Sequence, residues 1–101
     1  MNEIKKKQIA ILGSTGSIGT QALQVIEEHS ELYEVYALTA YNKVDLLIAQ
    51  ARKFLPEAVV IANEEKYVQL KEALSDLPVK VYAGTAALCQ IVESGPIDVV
   101  L

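Results

Sequence analysis

Gly13-Ser14-Thr15-Gly16-Ser17-Ile18-Gly19 stands between the apolar run Ile9-Ala10-Ile11-Leu12 and an amphipathic stretch that begins at Ile18. Glycine loses more backbone freedom on folding than any other residue, so glycines at this density would weaken the interior of a helix or strand. The string therefore reads as a turn. A strand that enters such a turn and leaves it as a helix brings unpaired N–H groups, and the positive end of the helix dipole, to one point. That point suits a phosphate.

Residues 8–12 read as a short buried strand, apolar almost throughout and rich in isoleucine, as interior parallel strands are. From Ile18 the period changes. Ile18, Ala22, Val25, Ile26 and His29 fall on one face at helical spacing and predict a helix over 17–29 with that face inward. The polar pair Ser30-Glu31 leads into a second strand over 34–40. Asn42, with Asp45 three residues on, resembles a capping box with a shorter acid, and the helix it opens carries Val44, Leu47, Ile48, Ala51 and Leu55 inward and stops at Pro56. A third strand covers 58–61. Asn63 caps a third helix that turns Tyr67, Leu70 and Leu74 inward and stops at Pro78. Residues 80–83 form a fourth strand, Thr85 caps a helix with Leu88, Ile91 and Val92 inward, and Gly95-Pro96 precedes a fifth strand over 97–101.

This βαβαβαβαβ order predicts right-handed crossovers and an α/β fold, a Rossmann-like three-layer αβα arrangement with a mainly parallel sheet. One domain is expected over 1–101. Its last residues are an apolar strand with no closing turn, so the expectation is a fold truncated at its C-terminal end. The pattern leaves the place of the fourth strand open.

At 101 residues, 51% hydrophobic and 22% charged, the composition is that of a soluble globular chain with one core. A net charge of −4, with Lys5-Lys6-Lys7 the only basic run, argues against nucleic-acid binding. The first apolar run is too short for a signal-peptide core or a membrane span, so a cytoplasmic protein without a membrane partner is expected. The lone Cys89 has no Cys or His at metal-ligand spacing and reads as a small buried residue on a helix. His29 reads as a helix-terminal residue, and the acids Glu64, Glu65, Glu72 and Asp76 as a solvated face. No catalytic or metal-binding residues are expected in the chain.

Dinucleotide-binding folds use the glycines of the first strand-to-helix turn for the turn itself, for close approach of the pyrophosphate and for helix packing. Gly13, Gly16 and Gly19 can take those roles, although the GxxGxxG spacing is one residue longer at the first gap than the common fingerprint. The alternative is a turn kept for packing alone. Ser14, Thr15 and Ser17 weigh against it, because hydroxyls among the glycines add donors for phosphate oxygens. The second strand ends Leu38-Thr39-Ala40-Tyr41-Asn42-Lys43 with no carboxylate at its tip for a ribose 2′-hydroxyl. Thr39, Asn42 and Lys43 offer a hydroxyl, an amide and a cation where a 2′-phosphate would lie, which favours NADPH; for Lys43 the alternative is a solvated surface lysine. Tyr41 could stack on adenine or cover the helix start.

The loop with its preceding strand resembles the opening of the 1-deoxy-D-xylulose 5-phosphate reductoisomerase family, and the resemblance extends through Tyr36-Ala37-Leu38-Thr39-Ala40, Phe54 and Pro56 before Val59-Val60-Ile61, Val81-Tyr82-Ala83-Gly84 and Ile97-Asp98-Val99-Val100. It implies that Gly13, Thr15, Gly16, Ser17 and Ile18 contact the NADPH phosphates and ribose and that Ala40, Asn42 and Lys43 surround the 2′-phosphate. Tyr41 departs from the small residue common there. The resemblance further implies an enzyme that, at full length, converts 1-deoxy-D-xylulose 5-phosphate to 2-C-methyl-D-erythritol 4-phosphate with NADPH and Mg²⁺ or Mn²⁺, as a homodimer. The metal carboxylates and the substrate-covering loop of that family lie beyond Leu101, so this chain alone is expected to be inactive. Another NADP-dependent reductase, such as a semialdehyde dehydrogenase, and a nucleotide-sensing module without catalysis are the alternatives.

Overall fold

A computed structural model describes residues 5–93 and 96–101. Strands β1 (Lys7–Ile11), β2 (Tyr33–Ala40), β3 (Ala58–Ile61), β4 (Lys80–Ala83) and β5 (Val99–Val100) form one sheet in the order β4-β3-β2-β1-β5. Every pairing in it is parallel. Helices α1 (Ser17–Glu28), α2 (Val44–Phe54), α3 (Tyr67–Ala73) and α4 (Thr85–Val92) connect the strands, with a 3₁₀ turn, Glu64–Lys66, running into α3. The three-layer α/β arrangement expected from the sequence is the observed one.

Chain order and sheet order together explain the layers. From β1 to β4 each strand is added on the same side of the last, so right-handed crossovers put α1, α2 and α3 on one face. There Leu23, Ile26, Leu47, Ala51, Leu70 and Leu74 bury against the side chains of Ile9, Ile11, Leu38, Val59 and Ile61. The chain then returns across the whole sheet to place β5 beside β1, which carries α4 over the opposite face. Ile91, with Ala87 and Leu88, packs there on Ala10, Ala37, Ala58 and Val60. A bulge in β2 keeps the faces aligned: Ile9 pairs with Val35 but Ala10 with Ala37, so Tyr36 is the extra residue and Leu38 joins Ile11 on the three-helix side.

Several local expectations differ from the structure. In α1 the inward residues are Gly19, Leu23 and Ile26, while Ile18 is 83% and Val25 53% exposed and His29 lies beyond the helix end. The helix is apolar on two adjacent faces, and the bare backbone at Gly19 decides which one meets the sheet. Asn42 does not cap α2; Lys43 occupies that position without a side-chain bond, and Leu55 ends the helix exposed in the left-handed region at φ 49°. Gly84, not Thr85, is the cap residue of α4, at φ 95°. Cys89 is exposed rather than buried. Strand β5 is only two residues long, although bonds from Asp98 N–H to Gln8 and from Leu101 N–H to Ala10 extend its ladder. Of the Gly95-Pro96 stop, Gly95 lies outside the described residues. Asn63 does cap as expected, accepting from the Glu65 N–H at 3.0 Å at the start of the 3₁₀ turn.

Candidate functional site

Sheet order places the glycine loop at the point where the strand sequence reverses: β2 lies on one side of β1 and β5 on the other. Ligands of open α/β sheets bind in the crevice at such a point, outside the carboxyl ends of the strands. A cleft of about 430 Å³ lies there, lined by Leu12, Gly13, Gly16, Ser17 and Ile18 and closed on the β5 side by Leu101.

The three glycines differ in what the fold asks of them. Gly13 takes φ 68°, which lets β1 turn sharply and puts its carbonyl where the Gly16 N–H reaches it at 3.0 Å. Gly19 is buried, and a Cβ there would lie 2.4 Å from the Gly13 carbonyl oxygen and 2.7 Å from the Ser14 Cα, so α1 rests directly on the turn. Gly16 has no such duty. Its φ is −81°, and a Cβ would meet nothing nearer than the Gly13 oxygen at 3.4 Å. Backbone conformation therefore accounts for the first glycine and packing for the third, which leaves the second, exposed at the mouth of the cleft, for whatever enters it.

Helix α1 starts without protection. Its cap position is Gly16, no side chain caps it and no acid sits in its first turn. The amides of Ser17 and Ile18 have no acceptor among the described residues, so an oxyanion at the cleft mouth would meet their donors and the positive end of the dipole. Thr15 is half-buried beside them and the Ser17 side chain is exposed. Ser14 does not join this set. It is fully buried, and its hydroxyl donates to Gln50 Oε1 at 2.7 Å.

The second loop of the site follows β2. Thr39 is 2% exposed and faces the glycine loop, its Oγ1 accepting from the Gly13 N–H at 3.0 Å and its carbonyl from the Ser14 N–H at 2.8 Å. Thr39 therefore joins the two loops rather than supplying a hydroxyl to a 2′-phosphate. The Ala40 side chain is in the core and its carbonyl accepts from Ala62. Asn42 and Lys43 are exposed, as is Tyr41. Asn42 Oδ1 accepts from Asn63 Nδ2, just beyond β3, at 2.6 Å, so the oxygen end of the Asn42 amide is the one engaged. Lys43 has no ion-pair partner among the described residues. Asp45 sits in the first turn of α2 and is bonded to Gln69.

Sequence reasoning passed over Gln50. Its signal was a polar residue beside Leu47 and Ala51 on the inward stripe of α2. Among the described residues there is no cluster of His, Cys, Asp and Glu able to hold a metal, and no helix is long and apolar enough to cross a membrane.

Residues 9–101 match the family described as 1-deoxy-D-xylulose 5-phosphate reductoisomerase. The chain is 95% identical over its full length to the protein of that description from Bacteroides fragilis, of which it covers 26%. To the one from Porphyromonas gingivalis it is 57% identical over 95% of the chain, covering 25% of that relative. Among solved structures, 91% of the chain superposes on the reductoisomerase from Zymomonas mobilis in complex with NADPH, with a TM-score of 0.87, 37% identity and 24% of that chain covered. A reductoisomerase in complex with NADPH, fosmidomycin and magnesium matches 93% of the chain with a TM-score of 0.89 and 34% identity, over 23% of its own length. The chain thus spans about a quarter of the length of the curated relatives it matches.

Proposed function

The chain belongs to the 1-deoxy-D-xylulose 5-phosphate reductoisomerase family, and from that membership we propose that residues 1–101 form the amino-terminal part of its NADPH-binding domain. Gly13, Thr15, Gly16, Ser17 and Ile18 hold the pyrophosphate and adjoining ribose. Asn42 and Lys43 bind the 2′-phosphate, with Ala40 setting the backbone from which they project. The observation that carries this reading is Gly16, a glycine with no packing duty beside uncapped helix amides, at the reversal point of the sheet. The residues present fit a dinucleotide phosphate: backbone donors and a dipole serve a pyrophosphate, and a lysine without an ion-pair partner among the described residues serves a second phosphate.

In the whole protein the function is conversion of 1-deoxy-D-xylulose 5-phosphate to 2-C-methyl-D-erythritol 4-phosphate in non-mevalonate isoprenoid biosynthesis, with NADPH as hydride source and Mg²⁺ or Mn²⁺ held by residues outside 1–101. This stretch contributes binding and orientation. Its glycine loop excludes side chains from the phosphate path, its helix amides donate to the oxyanions, and Lys43 selects the phosphorylated ribose. Alone it turns nothing over. The whole protein works as a cytoplasmic homodimer without nucleic-acid or membrane partners.

Titrating NADPH and NADH separately into the protein, read by nicotinamide fluorescence, tests the cofactor assignment. NADPH is expected to bind about tenfold more tightly, the scale of one well-placed charge-assisted contact. Equal affinities would remove the 2′-phosphate assignment, and failure of both to bind would overturn the dinucleotide reading itself.

A further inference from the structure

Gln50 lies on α2, 7% exposed, and both ends of its amide are engaged by a single residue of the glycine loop. Its Nε2 donates to the Ser14 carbonyl at 2.8 Å and its Oε1 accepts from the Ser14 hydroxyl at 2.7 Å. The orientation of the amide follows from this pairing, because a carbonyl can only accept and must face the N–H₂ end. The Ser14 hydroxyl also comes within 3.3 Å of the Thr39 carbonyl, which already receives the Ser14 N–H. No buried side-chain polar atom among the described residues is left without a partner.

A polar amide at a buried helix position loses its hydration, and an apolar side chain would fill the same space between α2 and the loop without that cost. What the amide adds is geometry. It reads the backbone and the side chain of Ser14 at once and so fixes that residue in position and rotation. Ser14 is also the surface on which α1 rests, since a Cβ on Gly19 would lie 2.7 Å from its Cα and 2.9 Å from its carbonyl carbon. Movement of Ser14 therefore moves the first turn of α1, and with it the amides of Ser17 and Ile18.

We propose that Gln50 is a positioning residue for dinucleotide binding, holding Ser14 so that the first turn of α1 presents its amides to the pyrophosphate; this rests on the NADPH-binding reading above. Gln50 acts through Ser14, and its effect on affinity passes through the loop.

The test measures NADPH affinity and thermal stability for the wild-type protein, Gln50→Leu, Ser14→Ala, the double variant and Leu74→Val, a core change just after α3 and away from the loop. Circular dichroism at the titration temperature selects the variants that are folded. Gln50→Leu is expected to weaken NADPH about tenfold and Ser14→Ala about threefold. The double variant is expected to be no weaker than Gln50→Leu, because both act through one contact. Leu74→Val, although it lowers the melting temperature, is expected to leave affinity within about twofold. Should Gln50→Leu fail to fold, Ser14→Ala carries the test, and NADPH affinity equal to wild type in that variant would overturn the proposal. Unchanged affinity in Gln50→Leu, losses that add in the double variant, or an equal loss in Leu74→Val would each overturn it too. Absence of NADPH binding to the wild type would instead overturn the reading on which it rests.

Discussion

The two loops that follow β1 and β2 sit side by side at the carboxyl edge of the sheet, and they are built in opposite ways. The first is held from behind. Thr39 binds Gly13 through a part-buried hydrogen bond and Gln50 binds Ser14 through buried ones, and α1 lies on the turn at Gly19 with no room for a methyl group. The second, Tyr41 to Lys43, is exposed and tied down through backbone bonds and the side-chain pair Asn42–Asn63. A site that must present backbone donors to a phosphate needs the backbone immobile, so its determinants are shape and burial. A site that recognises a second phosphate with a lysine needs only a charge within reach, so its determinants are exposed side chains.

Substitutions separate the two modes of construction. Gly19→Ala has the largest expected effect: its Cβ would meet backbone atoms at 2.4 and 2.7 Å, none of which can rotate away. Overpacking of this kind costs about 3 kcal/mol or more, a fall in melting temperature of about 12 °C or greater by circular dichroism. Gly16→Ala has the opposite signature. With its Cβ at ordinary contact distance from the Gly13 oxygen and an ordinary φ, the melting temperature is expected to stay within about 2 °C while NADPH affinity falls about tenfold, because the methyl occupies the phosphate path. A large loss of stability there would show that Gly16, like Gly13 and Gly19, is required by the fold itself.

In the second loop, Lys43→Ala is expected to leave the melting temperature unchanged and to weaken NADPH about fivefold with no change for NADH, and added salt should shrink the difference. A matching loss for NADH would place Lys43 outside the 2′-phosphate site. The smallest effect belongs to a region remote from both loops. Arg52 on α2 makes a two-pronged contact with Asp76 at 2.8 and 3.0 Å, and the guanidinium bond holds the Asp76 carboxyl below its ordinary value. A depressed carboxylate contributes stability above its unfolded value near pH 4 and loses it as pH falls through the lower folded value. Asp76→Asn is therefore expected to lower the melting temperature by a few degrees at most at pH 7, with the difference from wild type shrinking as pH falls below about 4, and to leave NADPH affinity unchanged throughout.

The same contrast decides how much of the molecule could be read in advance. The alternation of short apolar runs with helical stripes located every strand and helix, because burial periodicity is a local property of the chain. The β1 turn was legible for a similar reason, since glycine spacing reports backbone demand at each position. The inward face of α1 was legible only in part: Ala22 and Ile26 pack inward as expected, but Ile18 and Val25 are as apolar as the buried Leu23, and only contact at Gly19 selects between them. The role of Thr39 was misread because a hydroxyl beside a phosphate site and a hydroxyl behind one look alike until the neighbouring strand is placed. Asn42 does not cap α2 as expected, and its side-chain oxygen is taken up by Asn63 on another loop.

From the sequence alone came the α/β order of elements, the turn at Gly13, the helix start that follows it and the absence of an acid at the tip of β2, all properties of residues near one another in the chain. Only the tertiary structure decided that β5 returns to lie beside β1, which creates the crevice, and that Gln50 from α2 reaches Ser14 behind the loop. Both depend on contacts between distant segments, whose partners are selected by packing the whole sheet and its helices and leave no periodic mark in the residues that make them.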